Sequence, residues 1–242
     1  MTTDPNRIFL PDAMGFLEAL FHEMATGRLP RNILATFARV FSGLGIGLLI
    51  GLPLGIFLGI SAAARREIMP SIEFFRGIPT SMLFPVFIVI FGVGELSKTV
   101  IIASTTFPII LVNTVVGCMP RPETQDRRDY LSVHARHLPG SIKVLITLWD
   151  ALPPIIAGLK VAISISLVLT IVTEMFFVAS SGVGWAAHQA YLGFELDLMY
   201  CYVIVVGFIG LVLNRLFDLG YQKVSEALGD FDREHASAAR QD

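Results

Sequence analysis

The sequence predicts an all-α membrane protein with five transmembrane helices, its N-terminus outside and its C-terminus cytoplasmic. Hydrophobic residues make up 54% of the 242 and charged residues only 16%, a balance too apolar for an ordinary water-soluble domain. The apolar residues gather into runs near the length of about 20 that a membrane-crossing helix needs. The charges fall between those runs, with Lys and Arg concentrated in alternate loops.

Taken in order, residues 1–32 form a tail and a surface helix. The opening MTTDPNRIFLPD lacks the basic start, apolar stretch and small-residue cleavage site of a secretion signal. Between Met14 and Met24, the residues Phe16, Leu17, Leu20, Phe21 and Met24 share one helical face, with Asp12 placed as a cap. That pattern suits a helix lying on the membrane surface.

Residues 33–220 form the transmembrane domain. Val40 to Ala64 is free of charge and stops at Arg65-Arg66, which makes it the clearest span. Pro79–Gly94, Thr99–Met119, Ile155–Val178 and Leu198–Leu213 supply the other four, the fourth interrupted by Lys160 and Glu174. The basic residues Arg65, Arg66, Arg76, Arg121, Arg127, Arg128, Arg136, Lys143, Arg215, Lys223 and Arg233 fall on one side and mark it as cytoplasmic. The opposite loops hold only Lys98, although Arg7, Arg28 and Arg31 in the N-terminal segment run against that assignment. The cytoplasmic loop 119–150 is the longest polar stretch between spans, and 221–242 is a cytoplasmic tail whose end, GDFDREHASAARQD, has the composition of disorder.

Individual residues add detail. Gly43, Gly47, Gly51, Gly55 and Gly59 recur every fourth position, which leaves one side of the first span bare for about four turns. Such a face packs a neighbouring helix closely inside the subunit, or else serves as a sliding or dimer surface. Pro53, Pro85 and Pro108 each interrupt a different span, as transporters and static bundles both allow. Glu174 must meet protein, water or the interface, because an unpaired charge in lipid is costly. It is either a polar group on a transport path or a helix-end residue bonded to its neighbours. Arg39 poses the same choice, with snorkelling to the interface as the plain reading.

Several chemistries are excluded or weak. A net charge of -2 is not that of a nucleic-acid binder. Cys118 and Cys201 fall near opposite membrane faces, roughly 30 Å apart, so no disulfide is expected. His134 and His137 stand three apart with no cysteine and no HExxH frame, so no metal site is expected. No phosphate-binding GxxxxGK[ST] loop is present, so any coupling to ATP needs another chain. Ser180-Ser181-Gly182 lacks the frame of a catalytic serine elbow, and no catalytic residue is assigned.

The segments LPDAMGFLEAL, ATFARVFSGLGIGLLIGLPLGIFLGIS, FFRGIPTSMLFPVFIVIFGVGELSK, FPIILVNTVVG and DALPPIIAGLKVAISISLVLTIVTEMF with SGVGW together resemble one family. It is the permeases of binding-protein-dependent ABC importers, in the branch handling nitrate, sulfonates, taurine and bicarbonate. The likeness runs from about Phe9 to Ala227. It implies a subunit of the bacterial inner membrane that pairs with a second copy, the path lying at their two-fold interface. Two cytoplasmic ATPase subunits would carry ATP and Mg, an extracytoplasmic solute-binding protein would deliver the solute, and this chain would hold no cofactor.

In that family a cytoplasmic coupling helix carries a Glu-Ala-Ala triplet, a glycine and a closing Ile-x-Leu-Pro. Placed by its spacing to Ala151-Leu152-Pro153, the motif falls on Tyr130 to Trp149. Tyr130, Leu131 and Ser132 replace the triplet and Arg136 the glycine, while Ile146 and Leu148 fit and Trp149 replaces the proline. A second register puts Gly140 at the motif glycine. The expected coupling residues are therefore Tyr130, Ser132, Arg136, Gly140 and Ile146, with Asn113 and Glu174 as polar groups at the path or its ends. The family usually has one more span before the surface helix. The degraded motif leaves a second function open, a membrane scaffold descended from such a permease and no longer coupled to an ATPase.

Overall fold

In the computed structural model, residues 13–119, 140–176 and 180–238 are described, and the expected coupling residues Tyr130, Ser132 and Arg136, with His134 and His137, lie outside them. Among the described residues the chain forms eight helices and no strand: α1 Ala13–Ala25, α2 Arg28–Ile60, α3 Ala62–Gly77, α4 Thr80–Phe91, α5 Glu95–Cys118, α6 Gly140–Phe176, α7 Val183–Leu192 and α8 Leu196–Ala238. Gly140 opens α6 and Ile146 falls within it.

The glycine face of α2 is where α5 packs. A Cβ on Gly43 would stand 2.5 Å from the Ile102 Cβ, on Gly51 2.6 Å from the Phe107 carbonyl oxygen, and on Gly55 2.6 Å from the Thr114 Cβ. Gly47 meets Thr106 and Gly59 meets Cys118. A Cβ on Gly51 would also lie 3.2 Å from the Ile110 Cβ, so each glycine faces the residue 59 positions later and α2 and α5 run parallel in one register along the whole seam. Real Cβ atoms do not approach so closely, and only glycine lets these two backbones come together.

Parallel packing settles how the chain must travel between them. Residues 60–95 have to return it from the far end of α2 to the near end of α5. That return is made by α3 and α4, which bend by 96° at their junction. Among the described residues four helices are long and apolar enough to cross a membrane unaided, and this bent pair raises the number to five. The second span expected over Pro79–Gly94 is therefore a broken one, because α4 has only 12 residues and at about 1.5 Å per residue reaches roughly 18 Å. Ser61 separates α2 from α3: its hydroxyl accepts from Ala64 N at 3.3 Å, and Arg65 Nη1 donates to the Leu58 and Gly59 carbonyls at 3.1 and 3.0 Å. A cation there satisfies the orphan carbonyls and complements the dipole of the α2 C-terminus.

α6 runs back antiparallel to α5. A Cβ on Gly117 would lie 2.9 Å from the Ala151 carbonyl oxygen, and one on Gly158 would lie 2.7 Å from Asn113 Cγ. The main core joins α2, α5, α6, α7 and α8 around Val40, Ile110, Ala162, Leu167, Tyr202 and Ile209. A smaller one around Leu58, Leu111 and Val115 seats α3 through Ile68 and Ile72. Cys118 and Cys201 are both buried free thiols. The apolar face expected on α1 divides: Leu20 packs against the main core, while Leu17, Phe21 and Met24 are exposed. Helix also continues in α8 to Ala238, further than the expected disorder of the tail; the segment KVSEALGDFDREHASA has no proline and is rich in helix formers.

Candidate functional site

The polar side chains of α2 sit at its first third. Asn32, Thr36 and Arg39 are buried and spaced four and three apart, so they share a face that continues into the glycine seam. From Val40 to Ile60 the helix has 21 uncharged residues, about 31 Å of length, which matches the hydrocarbon thickness of about 30 Å. Arg39 therefore stands at one membrane boundary, and Arg65 marks the other.

Arg39 joins three elements. Its Nε and Nη2 donate to the two carboxylate oxygens of Glu95, at 2.6 and 2.9 Å, in a paired fork. Its Nη1 donates to Glu174 Oε1 at 2.7 Å and to the Ser181 carbonyl at 2.8 Å. Only 7% of the Arg39 side chain is exposed, so it does not snorkel; the guanidinium is enclosed by partners. Lys98, also buried, donates to Glu95 at 3.0 Å. Two cations thus face two carboxylates, and the cluster carries no surplus charge to hold an anion.

Glu174, fully buried near the end of α6, accepts from donors on every side. Besides Arg39 these are Thr36 Oγ1, 2.9 and 3.0 Å from its two oxygens, and the Gly184 N–H at 2.9 Å. The Val183 N–H donates to Thr36 Oγ1 at 2.9 Å and the Gly182 N–H to Asn32 Oδ1 at 3.1 Å. Three consecutive N–H groups at the start of α7 are thereby satisfied by side chains from other helices. These are the donors a helix leaves unpaired at its N-terminus, and a carboxylate beside them also complements the helix dipole. Gly182 has φ 125°, and a Cβ there would lie 2.5 Å from both Glu174 oxygens, so this turn requires glycine.

The chain of bonds runs on toward α1. Asn32 Nδ2 donates to the Tyr202 hydroxyl at 3.1 Å, and that hydroxyl donates to Glu23 Oε2 at 2.5 Å. Beside it lies a cavity of about 370 Å³ lined by Arg28, Arg31, Trp185, Gln189, Glu195 and Tyr202, among others. The whole network ties together α1, α2, α5, α6, α7 and α8, and its chemistry is that of a clamp.

Of the residues named from sequence, Glu174 and Arg39 meet here. Asn113 does not: it is half-buried between α5 and α6, with Nδ2 donating to the Ile109 carbonyl at 2.8 Å. Glu95, Thr36, Asn32, Tyr202 and Glu23 were missed. The polar spacing of Asn32, Thr36 and Arg39 in line with Gly43 was the available signal for part of this. At the Arg65 end, the close approach of Gly117 to Ala151 holds α5 to α6 beside the C-terminal end of α5, while the 120–139 segment rejoins α6 at Gly140, eleven residues before Ala151. Among the described residues no group of His, Cys, Asp and Glu is arranged to hold a metal ion.

Comparison with known proteins adds four findings. Residues 51–127 match the family described as binding-protein-dependent transport system inner membrane component. A protein of Methanocaldococcus jannaschii named as an ABC transporter permease is 31% identical over 214 residues, 87% of this chain and 79% of the relative. The aliphatic sulfonates transport permease SsuC of Escherichia coli is 32% identical over 203 residues, 83% and 75% of the two chains. Among solved structures, a chain from an inward-facing conformation of the MetNI methionine ABC transporter superposes with a TM-score of 0.68 at 20% identity, covering 85% of this chain and 98% of that one.

Proposed function

The chain belongs to the ABC transporter permeases, as a multi-pass inner-membrane component of a binding-protein-dependent system, and from that premise we propose how it is assembled and driven. Two copies pair, two cytoplasmic ATPase subunits supply ATP and Mg, and an extracytoplasmic binding protein delivers a small anion such as a sulfonate, nitrate or taurine. The Arg65 end faces the cytoplasm, and the Arg39 end, with the cavity beside Arg28 and Arg31, faces the binding protein.

The observation that carries the drive mechanism is the clamped pair of α5 and α6 at the Arg65 end. A force on the 120–139 segment between them moves both helices as one body, because Gly117 and Ala151 leave no slack. Tyr130, Ser132, Arg136, Gly140 and Ile146 are the coupling residues in this account. At the opposite end the Arg39–Glu95–Glu174 cluster fixes α2, α5, α6 and α7 to one another, so the block tilts without shearing and the bent α3–α4 pair takes up the motion. Glu174 thus serves the path by bracing its outer end, and Asn113 by sitting at the α5–α6 contact.

The test is a detergent pull-down of the tagged chain with identification of its partners, repeated with Arg136→Glu and with Tyr130 to Ser132 replaced by charged residues. Recovery of a P-loop ATPase that is lost in the variants, while the bundle stays folded, supports the account. A folded chain with no ATPase partner supports the scaffold reading instead.

A further inference from the structure

Two polar rungs join α6 to α8 within the apolar part of the bundle. Ser164 Oγ donates to Asn214 Oδ1 at 3.1 Å, and Lys160 Nζ donates to Asp218 Oδ1 at 2.5 Å. Lys160 and Ser164 are four residues apart, as are Asn214 and Asp218, and the helices run antiparallel, so the rungs lie one turn apart.

Their depth follows from Glu174, which the Arg39 cluster holds at one boundary. Ser164 is ten residues along α6 from it and Lys160 fourteen, about 15 and 21 Å at helical rise. In a hydrocarbon layer of about 30 Å, the rise of α6 brings the first rung near the midplane and keeps the second inside, so Asn214 and the exposed Arg215 beside it, which the sequence put beyond the fifth span on the cytoplasmic side, also fall within the layer. Neither charge there is sealed by protein. The Lys160 side chain is 45% exposed and that of Asp218 40%, against 0% for Glu174. Among the described residues the Lys160 ammonium bonds only Asp218, and Lys160 lies on a face of α6 that also exposes Ala157, Val161 and Val168. Charges with unfilled bonding capacity at that depth do not face acyl chains; they face water or a polar ligand.

We propose that the α6–α8 groove at Lys160, Ser164, Asn214 and Asp218 faces water in the assembled transporter and is a binding subsite for a small anion. The inference rests on the permease function and assigns it a further site. The Lys160 ammonium exchanges Asp218 for the anionic group of the solute, and the Ser164 hydroxyl and Asn214 amide donate to the remaining oxygens. When the solute leaves, Asp218 pairs with Lys160 again. The Lys160–Asp218 pair is then neutral, and this competition keeps the anion from being held too tightly to move on. An anionic lipid headgroup offers Lys160 the same phosphate-like charge, but would leave Ser164 among acyl chains.

The two sources are separated by Ser164→Cys in the full complex, in membrane vesicles opened to both sides. A charged methanethiosulfonate is expected to modify it at least about ten-fold faster than wild type, whose Cys118 and Cys201 are buried, and millimolar methanesulfonate, taurine or nitrate is expected to slow that reaction. Modification only by a lipophilic maleimide overturns the proposal. In uptake of the same anions, Lys160→Gln is expected to raise KM about ten-fold or more, Lys160→Arg to restore most of it, and Asp218→Asn to lower KM. An unchanged KM in Lys160→Gln overturns the subsite even if the groove is wet. The labelling experiment needs no transport, so a wild-type protein that imports none of these anions counts against the proposed substrate class and leaves labelling to decide whether the groove is aqueous.

Discussion

Replacing Glu174 with glutamine keeps the shape of the side chain and removes only its charge and half its acceptor capacity. Every neighbour of the carboxylate is a donor: Arg39 Nη1, the Thr36 hydroxyl and the Gly184 N–H. An amide has one oxygen and one NH2, so either orientation sets a donor against a donor. With the oxygen toward Arg39, the Gly184 N–H is left unpaired inside the protein; with the oxygen toward Gly184, Arg39 loses its buried partner. An unsatisfied buried donor costs about 1–3 kcal/mol, and breaking one side of a buried ion pair about 3–5 kcal/mol. Glu95 still holds two guanidinium nitrogens, so the expected loss is toward the lower end, about 3 kcal/mol. For a chain of this size that corresponds to a fall in Tm of roughly 6–12 °C, read by thermal unfolding in detergent. The variant Arg39→Met/Glu174→Met should lose less than the sum of its single changes, since removing both charges leaves neither stranded. A Glu174→Gln protein that melts within about 2 °C of wild type, or strictly additive single and double variants, would refute the clamp.

Four further outcomes follow from the packing. Gly51→Ala drives a Cβ to 2.6 Å from the Phe107 carbonyl, whereas Gly45 has nothing within 4 Å; the first should cost about 1–3 kcal/mol and the second should be neutral or stabilising by up to about 1 kcal/mol, compared in the same melts. Gly182→Ala combines a left-handed φ with contact on Glu174, and should lower stability at least as much as Glu174→Gln, measured by survival of the monodisperse peak after heating. Tyr202→Phe removes the hydroxyl between Asn32 and Glu23 and should cost about 1–3 kcal/mol; in denaturant titration, Glu23→Gln combined with it should recover part of that loss. Arg65→Ala uncovers the Leu58 and Gly59 carbonyls and should cost about 0.3–1 kcal/mol, with faster hydrogen exchange confined to the α2–α3 junction.

The long spans were legible because hydropathy and length suffice to find a helix that must cross lipid, as α2, α5, α6 and α8 do. Only the α4 half of the bent pair was read as a span, over Pro79–Gly94, because α3 carries Arg65, Arg66 and Arg76 and so looked like a cytoplasmic loop; hydropathy alone does not join the two across a 96° bend. Periodicity identified the glycine face but could not name its partner. The constant offset of 59 to α5 belongs to tertiary packing, and no local pattern encodes it. Arg39 and Glu174 stood out singly because a charge beside an apolar run is conspicuous. Their joining was not legible: Glu95 falls between the second span and the third, expected from Thr99, and Asn32 and Thr36 fall before the charge-free run of the first, and no local pattern pairs them. Lys160 was visible only as an interruption of the fourth span, until its contact with Asp218, 58 residues away, gave it a partner.

The most direct test of the account is ATP-driven uptake by proteoliposomes holding this chain, its co-purified ATPase and its binding protein, supplied with radiolabelled sulfonate, taurine or nitrate. The account predicts accumulation that requires ATP, and its loss in an Arg136→Glu complex whose Tm in detergent matches wild type. Undiminished uptake in that variant, or a folded wild-type complex that hydrolyses ATP and moves none of these anions, would contradict it.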